Sequence, residues 1–137
     1  MFVLDTNVVS ELMKPEPDVR VQDWFRSAGD MPMATTVITV SEIVYGLQRL
    51  PSGRKRDGLY NRFGAFISAL AVLPLDDGAA VRTGQFRAMR EAGGLPSTPS
   101  DMMIAGITAA TNSVLITRNT RDFDTLPLES IDPWKAG

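Results

Sequence analysis

Five short apolar runs limit what this chain can fold into. Phe2-Val3-Leu4, Met33-Ala34-Thr35-Thr36, Val72-Leu73-Pro74-Leu75, Val114-Leu115-Ile116-Thr117 and Leu128 to Ile131 are each three or four residues long. Longer stretches lie between them, and there apolar residues recur at helical spacing. A short helix follows from Asn7 to Met13 and is ended by Lys14-Pro15-Glu16-Pro17, because proline cannot continue it. Helices are expected over Asp18 to Ala28, from Thr39 with Val40, Ile43, Val44 and Leu47 on one face, over Leu59 to Ala71, over Gly78 to Ala92, and over Pro99 to Thr111. Gly29 and Gly93-Gly94 stop two of them. Pro51 to Asp57 reads as a polar, basic loop, and Asn119 to Phe123 as a turn. Strands alternating with helices mean βαβ units and an α/β fold. The expected sheet is central, mostly parallel and of four to five strands, flanked by helices.

At 137 residues the chain suits one domain, expected over 1–134 with a short tail at 135–137. A hydrophobic fraction of 44% supplies a core, and neither an internal repeat nor a low-complexity segment stands out. Cysteine and histidine are both absent, which removes thiol chemistry, the usual general base and the commonest transition-metal ligand. Chemistry must rest on carboxylates, hydroxyls, amides, Lys or Arg, and any metal would be a hard one bound by oxygen. The longest apolar stretch, Ala65 to Leu75, is interrupted by Ser68 and Pro74 and is too short to span a bilayer. A cytoplasmic protein without membrane contact is the expectation.

Four acids occupy equivalent places in this pattern. Asp5 ends the first strand, and Glu42 lies in the first turn of the helix after the second. Asp101 lies in the first turn of the helix before Val114, and Asp122 just past the strand ending at Thr117. A parallel sheet puts Asp5, Glu42 and Asp122 at its carboxyl edge; Asp101 joins them only if its helix begins on that edge, which a right-handed crossover from the third strand permits. Each acid alone has an ordinary explanation. Thr39-Val40-Ser41-Glu42 and Thr98-Pro99-Ser100-Asp101 both fit a helix-capping pattern, and Asp5 and Asp122 could cap or turn the chain. Capping does not explain why all four converge. Crowded carboxylates repel unless a cation compensates, which suggests a Mg²⁺ or Mn²⁺ site. Net charge is −2, and setting these four aside leaves +2, so the overall balance does not exclude a nucleic-acid substrate.

Asp5-Thr6-Asn7, Thr39-x-x-Glu42-x-x-x-Gly46, Asp101-x-x-Ile104-Ala105 and Thr117-Arg118-Asn119-x-x-Asp122-Phe123 together resemble the motif series of PIN-domain ribonucleases, most closely the VapC toxins of toxin–antitoxin pairs. Pro15/Pro17, Trp24, Leu73 to Asp76 and Asp132-Pro133-Trp134 are similar to the FitB-like branch. The resemblance covers about Phe2 to Trp134, and Gly106 departs from it where alanine is more usual. It implies a single PIN-like domain and a Mg²⁺- or Mn²⁺-dependent endoribonuclease. Asp5 and Asp101 would be the principal metal ligands, with Glu42 and Asp122 completing the catalytic acids. Thr6, Asn7, Thr117 and Asn119 would support them. The implied partners are an RNA substrate, a second copy of the chain, and an antitoxin whose tail covers the cleft, with DNA reached only through that antitoxin.

Arg118 and Arg121, beside the acids, are candidates for RNA phosphates, as are Arg54-Lys55-Arg56 and Arg82, Arg87 and Arg90. A haloacid-dehalogenase-like phosphatase would need a second acid where Asn7 stands, and a receiver domain a lysine after a late strand, where Thr117-Arg118-Asn119 has none. The remaining alternative is a catalytically weak module that joins an antitoxin in a DNA-bound repressor complex.

Overall fold

The computed structural model describes residues 1–135. Among these residues five strands form one sheet, β1 (Phe2–Leu4), β2 (Met33–Thr36), β3 (Ala71–Leu73), β4 (Val114–Ile116) and β5 (Glu129–Ile131), in the order β3-β2-β1-β4-β5. Every neighbouring pair is parallel, with Phe2 opposite Met33 on one side and Val114 on the other. The most N-terminal strand is thus the central one, and its end is flanked by the ends of β2 and β4. Six helices are found among the described residues: α1 (Thr6–Leu12), α2 (Val19–Ser27), α3 (Val37–Gln48), α4 (Arg54–Ser68), α5 (Asp77–Ala92) and α6 (Pro99–Ala110). None is long and apolar enough to cross a membrane among the described residues. Of the expected tail, 136–137 lie outside the described residues.

Strand alternation divides the core in two. Leu4 and Ile116 face one side, where they meet Val8, Val9, Val21, Trp24, Ile43, Leu47, Phe63 and Trp134 from α1 to α4 and the C-terminal turn. Val3 and Leu115 face the other, against Phe86 of α5, Met102, Ile104 and Ala105 of α6, and Phe123. On this second side α5 lies very close to α6. A Cβ built on Gly106 would stand 2.6 Å from the Ala79 carbonyl and would overlap the Thr83 hydroxyl, so only glycine allows the approach.

Two helix starts differ from the sequence expectation. Helix α3 begins at Val37, because Thr36 is its cap and accepts from Thr39 N at 3.1 Å. Glu42 therefore sits in the second turn and caps nothing. Helix α4 begins at Arg54, so Arg54, Lys55, Arg56 and Asp57 are its first turn and not loop. Gly53 precedes it at φ 150° and offers no side-chain cap. Strand β3 also lies slightly earlier than Val72 to Leu75, pairing Ala34 with Ala71 and Thr36 with Leu73.

Candidate active site

The carboxyl ends of β1 and β4 are tied together through one side chain. Asp5, 3% exposed, caps α1, with its Oδ1 accepting from Thr6 N at 2.8 Å. Its Oδ2 accepts from the Thr117 hydroxyl at 2.6 Å and from Asn7 Nδ2 at 3.2 Å. The Thr117 hydroxyl in turn accepts from Asn119 N at 3.1 Å. Asn7 Oδ1 accepts from Arg118 N at 3.1 Å, closing a second link between α1 and the segment after β4. Asn7 and Thr117 thus contact Asp5 with their side chains, and Thr6 with its backbone N–H. Asn119 contacts Thr117 with its backbone.

Glu42 reaches the same edge from α3. Its Oε1 accepts from the Thr6 hydroxyl at 2.6 Å, and that hydroxyl lies 3.1 Å from the Thr39 hydroxyl. Asp101 is half-buried at the third position of α6, where Thr98 caps the helix by accepting from Asp101 N at 3.2 Å and Pro99 takes the first position. Asp122 ends a single 3₁₀ turn, Thr120–Asp122. Asp101 and Asp122 share the wall of a small pocket of about 60 Å³ with Pro96, Ser97, Thr98 and Met102.

The charges act on one another. Burial pushes the Asp5 carboxyl above its ordinary range, against the pull of the Thr117 and Thr6 hydrogen bonds, and the charges of Asp101 and Glu42 push it further up. Asp101 is raised first by burial and then by Asp122 and Glu42, with the Thr98 hydroxyl and the Arg90 charge opposing. Among the described residues none of these four acids is in an ion pair. Nor do three of them stand close enough to form a ready-made cage for an ion. Carboxylate oxygens without an ion pair among the described residues are the donor type that a hard divalent cation takes. Asp5 is already fixed in place, whereas Glu42 is exposed and Asp122 partly so.

The basic residues divide. Arg118 and Arg121 are exposed beside the acids, and the Arg118 guanidinium lies over the Trp134 ring, 4.7 Å from its centroid. Arg54, Lys55, Arg82 and Arg87 are exposed. Arg90 is a correction: at 3% exposure it is turned into the protein and unavailable to RNA.

One feature has no sequence signal. An apolar cleft of about 320 Å³ opens directly beside Thr6 and Glu42 and is walled by Met13, Ile43, Leu47 and Leu59. Through Met13, Lys14 and Pro15 it continues into a wider groove of about 780 Å³, where Phe25, Phe66 and Ala69 face each other across α2 and α4. The stripes on α3 and α4 are core, as their periodicity predicts, but their outer edges also form this trench.

Comparison with known proteins places the chain in context. The PIN domain family model matches residues 2–127. The VapC ribonuclease Y4jK of Sinorhizobium fredii is 36% identical over 138 residues, covering 98% of this chain and 99% of the relative. Toxin FitB of Neisseria gonorrhoeae is 31% identical, covering 98% of this chain and 99% of the relative. Among solved structures, DNA-bound VapBC from Salmonella typhimurium superimposes with a TM-score of 0.82 at 32% identity, covering 96% of this chain and 97% of that one.

Proposed function

The chain belongs to the PIN-domain family, and from that premise we propose that it is a Mg²⁺- or Mn²⁺-dependent endoribonuclease, the toxin of a toxin–antitoxin pair. The observation that carries this reading is the Asp5 carboxylate, buried, rigidly held and facing the charges of Asp101 and Glu42. Asp5 and Asp101 would hold the ion, with Glu42 and Asp122 contributing directly or through water. When bound, such an ion supplies an activated water near neutral pH and stabilises charge on the phosphorus oxygens. The protein's own part is orientation. Thr6, Asn7 and Thr117 fix the Asp5 oxygens before any ion arrives, so little reorganisation is left for the reaction. Glu42 and Asp122, being more exposed, would orient a water at the cleft mouth. Arg118, steadied on the Trp134 face, and Arg121 would bind the RNA phosphates. Cleavage of this kind leaves a 5′-phosphate and a 3′-hydroxyl.

The test is cleavage of a panel of cellular RNAs with Mn²⁺ by the natural chain and by Asp5→Asn. A loss of at least about a hundredfold is expected in the variant, the scale on which misplaced catalytic geometry is felt. Equal rates from two chains that both melt as folded proteins would end the nuclease reading. Replacing Arg118 and Arg121 by Ala should flatten the salt dependence of RNA binding by about two in slope, roughly one for each phosphate no longer neutralised.

The apolar trench supports the partner half of the proposal. It begins at Thr6 and Glu42, so a protein segment laid in it would end over the acids and close them to RNA. That segment would be the antitoxin's tail, and a second copy of the chain would complete a dimer, which sedimentation at micromolar concentration tests. The alternative, a catalytically weak partner within a DNA-bound complex, draws support from the DNA-bound VapBC likeness. The Mn²⁺ cleavage assay separates the two.

A further inference from the structure

Arg90 has no role in the chemistry above, yet it is the most deeply buried cation among the described residues. Arginine surrenders side-chain entropy and hydration when buried, and these must be offset by hydrogen bonds to its guanidinium. Arg90 Nε donates to the Pro96 carbonyl at 3.1 Å, and Nη1 to the Thr125 hydroxyl at 3.2 Å and the Arg121 carbonyl at 3.5 Å. Asp124 adds a looser ion pair at 3.8 Å. The Arg90 carbonyl also accepts from Leu95 N at 2.9 Å, which closes the end of α5 once Gly94 has turned the chain at φ 70°.

These partners belong to two segments that are distant in sequence and carry different acids. Pro96 lies two residues before Thr98, the cap of the helix that bears Asp101. The Arg121 carbonyl belongs to the peptide leading directly into Asp122. Both acids, with Pro96 and Thr98, wall the same small pocket. We propose that Arg90 is a positioning residue, whose guanidinium ties the α5–α6 loop to the 121–125 turn and thereby fixes the separation of Asp101 and Asp122. The planar fork is what suits it to the task, because Nε and Nη1 point to acceptors on two segments at once. Lysine would carry the same charge on a single nitrogen, without the fixed reach of two nitrogens to two segments. The gap across the pocket is therefore set from behind, by a group that touches neither substrate nor the carboxylates of Asp101 and Asp122.

The inference rests on the nuclease reading only in taking Asp101 and Asp122 as working acids. It is tested on the full chain with Arg90→Lys and Arg90→Gln, and with Phe63→Leu as a reference that loosens the core on the other sheet face. The readouts are Mn²⁺ affinity by titration without RNA, amide exchange of residues 121–125, and kcat and KM for RNA cleavage. Both Arg90 variants should bind Mn²⁺ about tenfold more weakly, as when a ligand's supporting shell is lost. They should also exchange faster at 121–125 and lose kcat with little change in KM, whereas Phe63→Leu should alter only global stability. Recovery of Mn²⁺ affinity and exchange by Arg90→Lys would assign the effect to charge and overturn the proposal, as would Arg90 variants that behave like Phe63→Leu. Should Arg90→Gln not fold, Thr125→Val removes one acceptor at an exposed position. Faster exchange at 121–125 then supports the proposal, and unchanged exchange overturns it. A natural chain that neither binds Mn²⁺ nor cuts RNA would remove the nuclease reading, while the exchange comparison would still decide whether Arg90 fixes the turn.

Discussion

The two sides of the sheet are built to different standards of closure. Beneath α5 and α6 the packing is tight enough that Gly106 has no space for a methyl group, and Phe86 is fully buried. Beneath α1 to α4 the core is larger, but its outer edge is left open as a trench lined by Met13, Leu59 and Phe66. The closed side carries Asp101 and, through Arg90, braces the turn of Asp122. The open side carries Glu42 and leads to it. Precision and access are thus assigned to opposite faces of one sheet, with Asp5 just past the end of the strand between them.

The sharpest way to break this contrast is on the closed side. Phe86→Ala should cost about 3–5 kcal/mol, read as a shift in denaturant midpoint, because the emptied site is walled in on every side. A small loss would mean that α5 can collapse and is not the rigid wall described. Gly106→Ala should cost about 1–3 kcal/mol by forcing α5 away from α6. If Gly106→Ala also weakens Mn²⁺ binding, the α5–α6 spacing reaches the pocket. On the open side Leu59→Ala should cost only about 1 kcal/mol, since the side chain is partly exposed already. A loss as large as that of Phe86→Ala would show the trench wall to be ordinary core. The smallest effect is expected from pH. An acid raised in the folded state stabilises folding fully below its unfolded value, here the ordinary 3.8, and that contribution is lost as pH rises through the folded value. In metal-free buffer the natural chain should therefore lose stability relative to Asp5→Asn as pH climbs through the raised Asp5 value, which paired thermal melts would register. An unchanged difference would show that Asp5 is not strained as an anion.

How much of this is legible in the sequence depends on where the determining interaction lies. Helix α6 is readable because Thr98, Pro99 and Asp101 supply their own start signal within four residues. The start of α3 is easily misplaced because Thr36 and Thr39 are both competent caps, and choosing between them depends on Thr39 turning to meet Thr6 from another helix. The start of α4 leaves no trace, since Gly53 offers no cap and Arg54, Lys55 and Asp57 are exposed, so neither capping nor apolar periodicity marks it. Asp5, Glu42 and Asp122 can be placed at one edge because they follow strand ends, and a right-handed crossover permits Asp101 to join them. Their couplings cannot be read, since Thr117 meets Asp5 across 112 positions of chain. Arg90 reads as surface for the same reason: nothing local distinguishes it from Arg87, one turn earlier and exposed. Its nearness to Gly93-Gly94 is a faint signal, because cations in a last helical turn tend to meet carbonyls.

The central position of β1 also sets a schedule. Phe2–Leu4 can pair with Met33–Thr36 as soon as both are made, but its other neighbour, Val114–Ile116, follows only after α3 to α6. At about 5–20 residues per second, a ribosome takes on the order of ten seconds to cover that interval. Until then Asp5 lacks the Thr117 hydroxyl and the Ile116 carbonyl that receives its N–H, and Asp101 and Asp122 have no fixed place opposite it. A nascent chain therefore holds no finished acid site until Val114–Ile116 and Asp122 have been made and paired with β1.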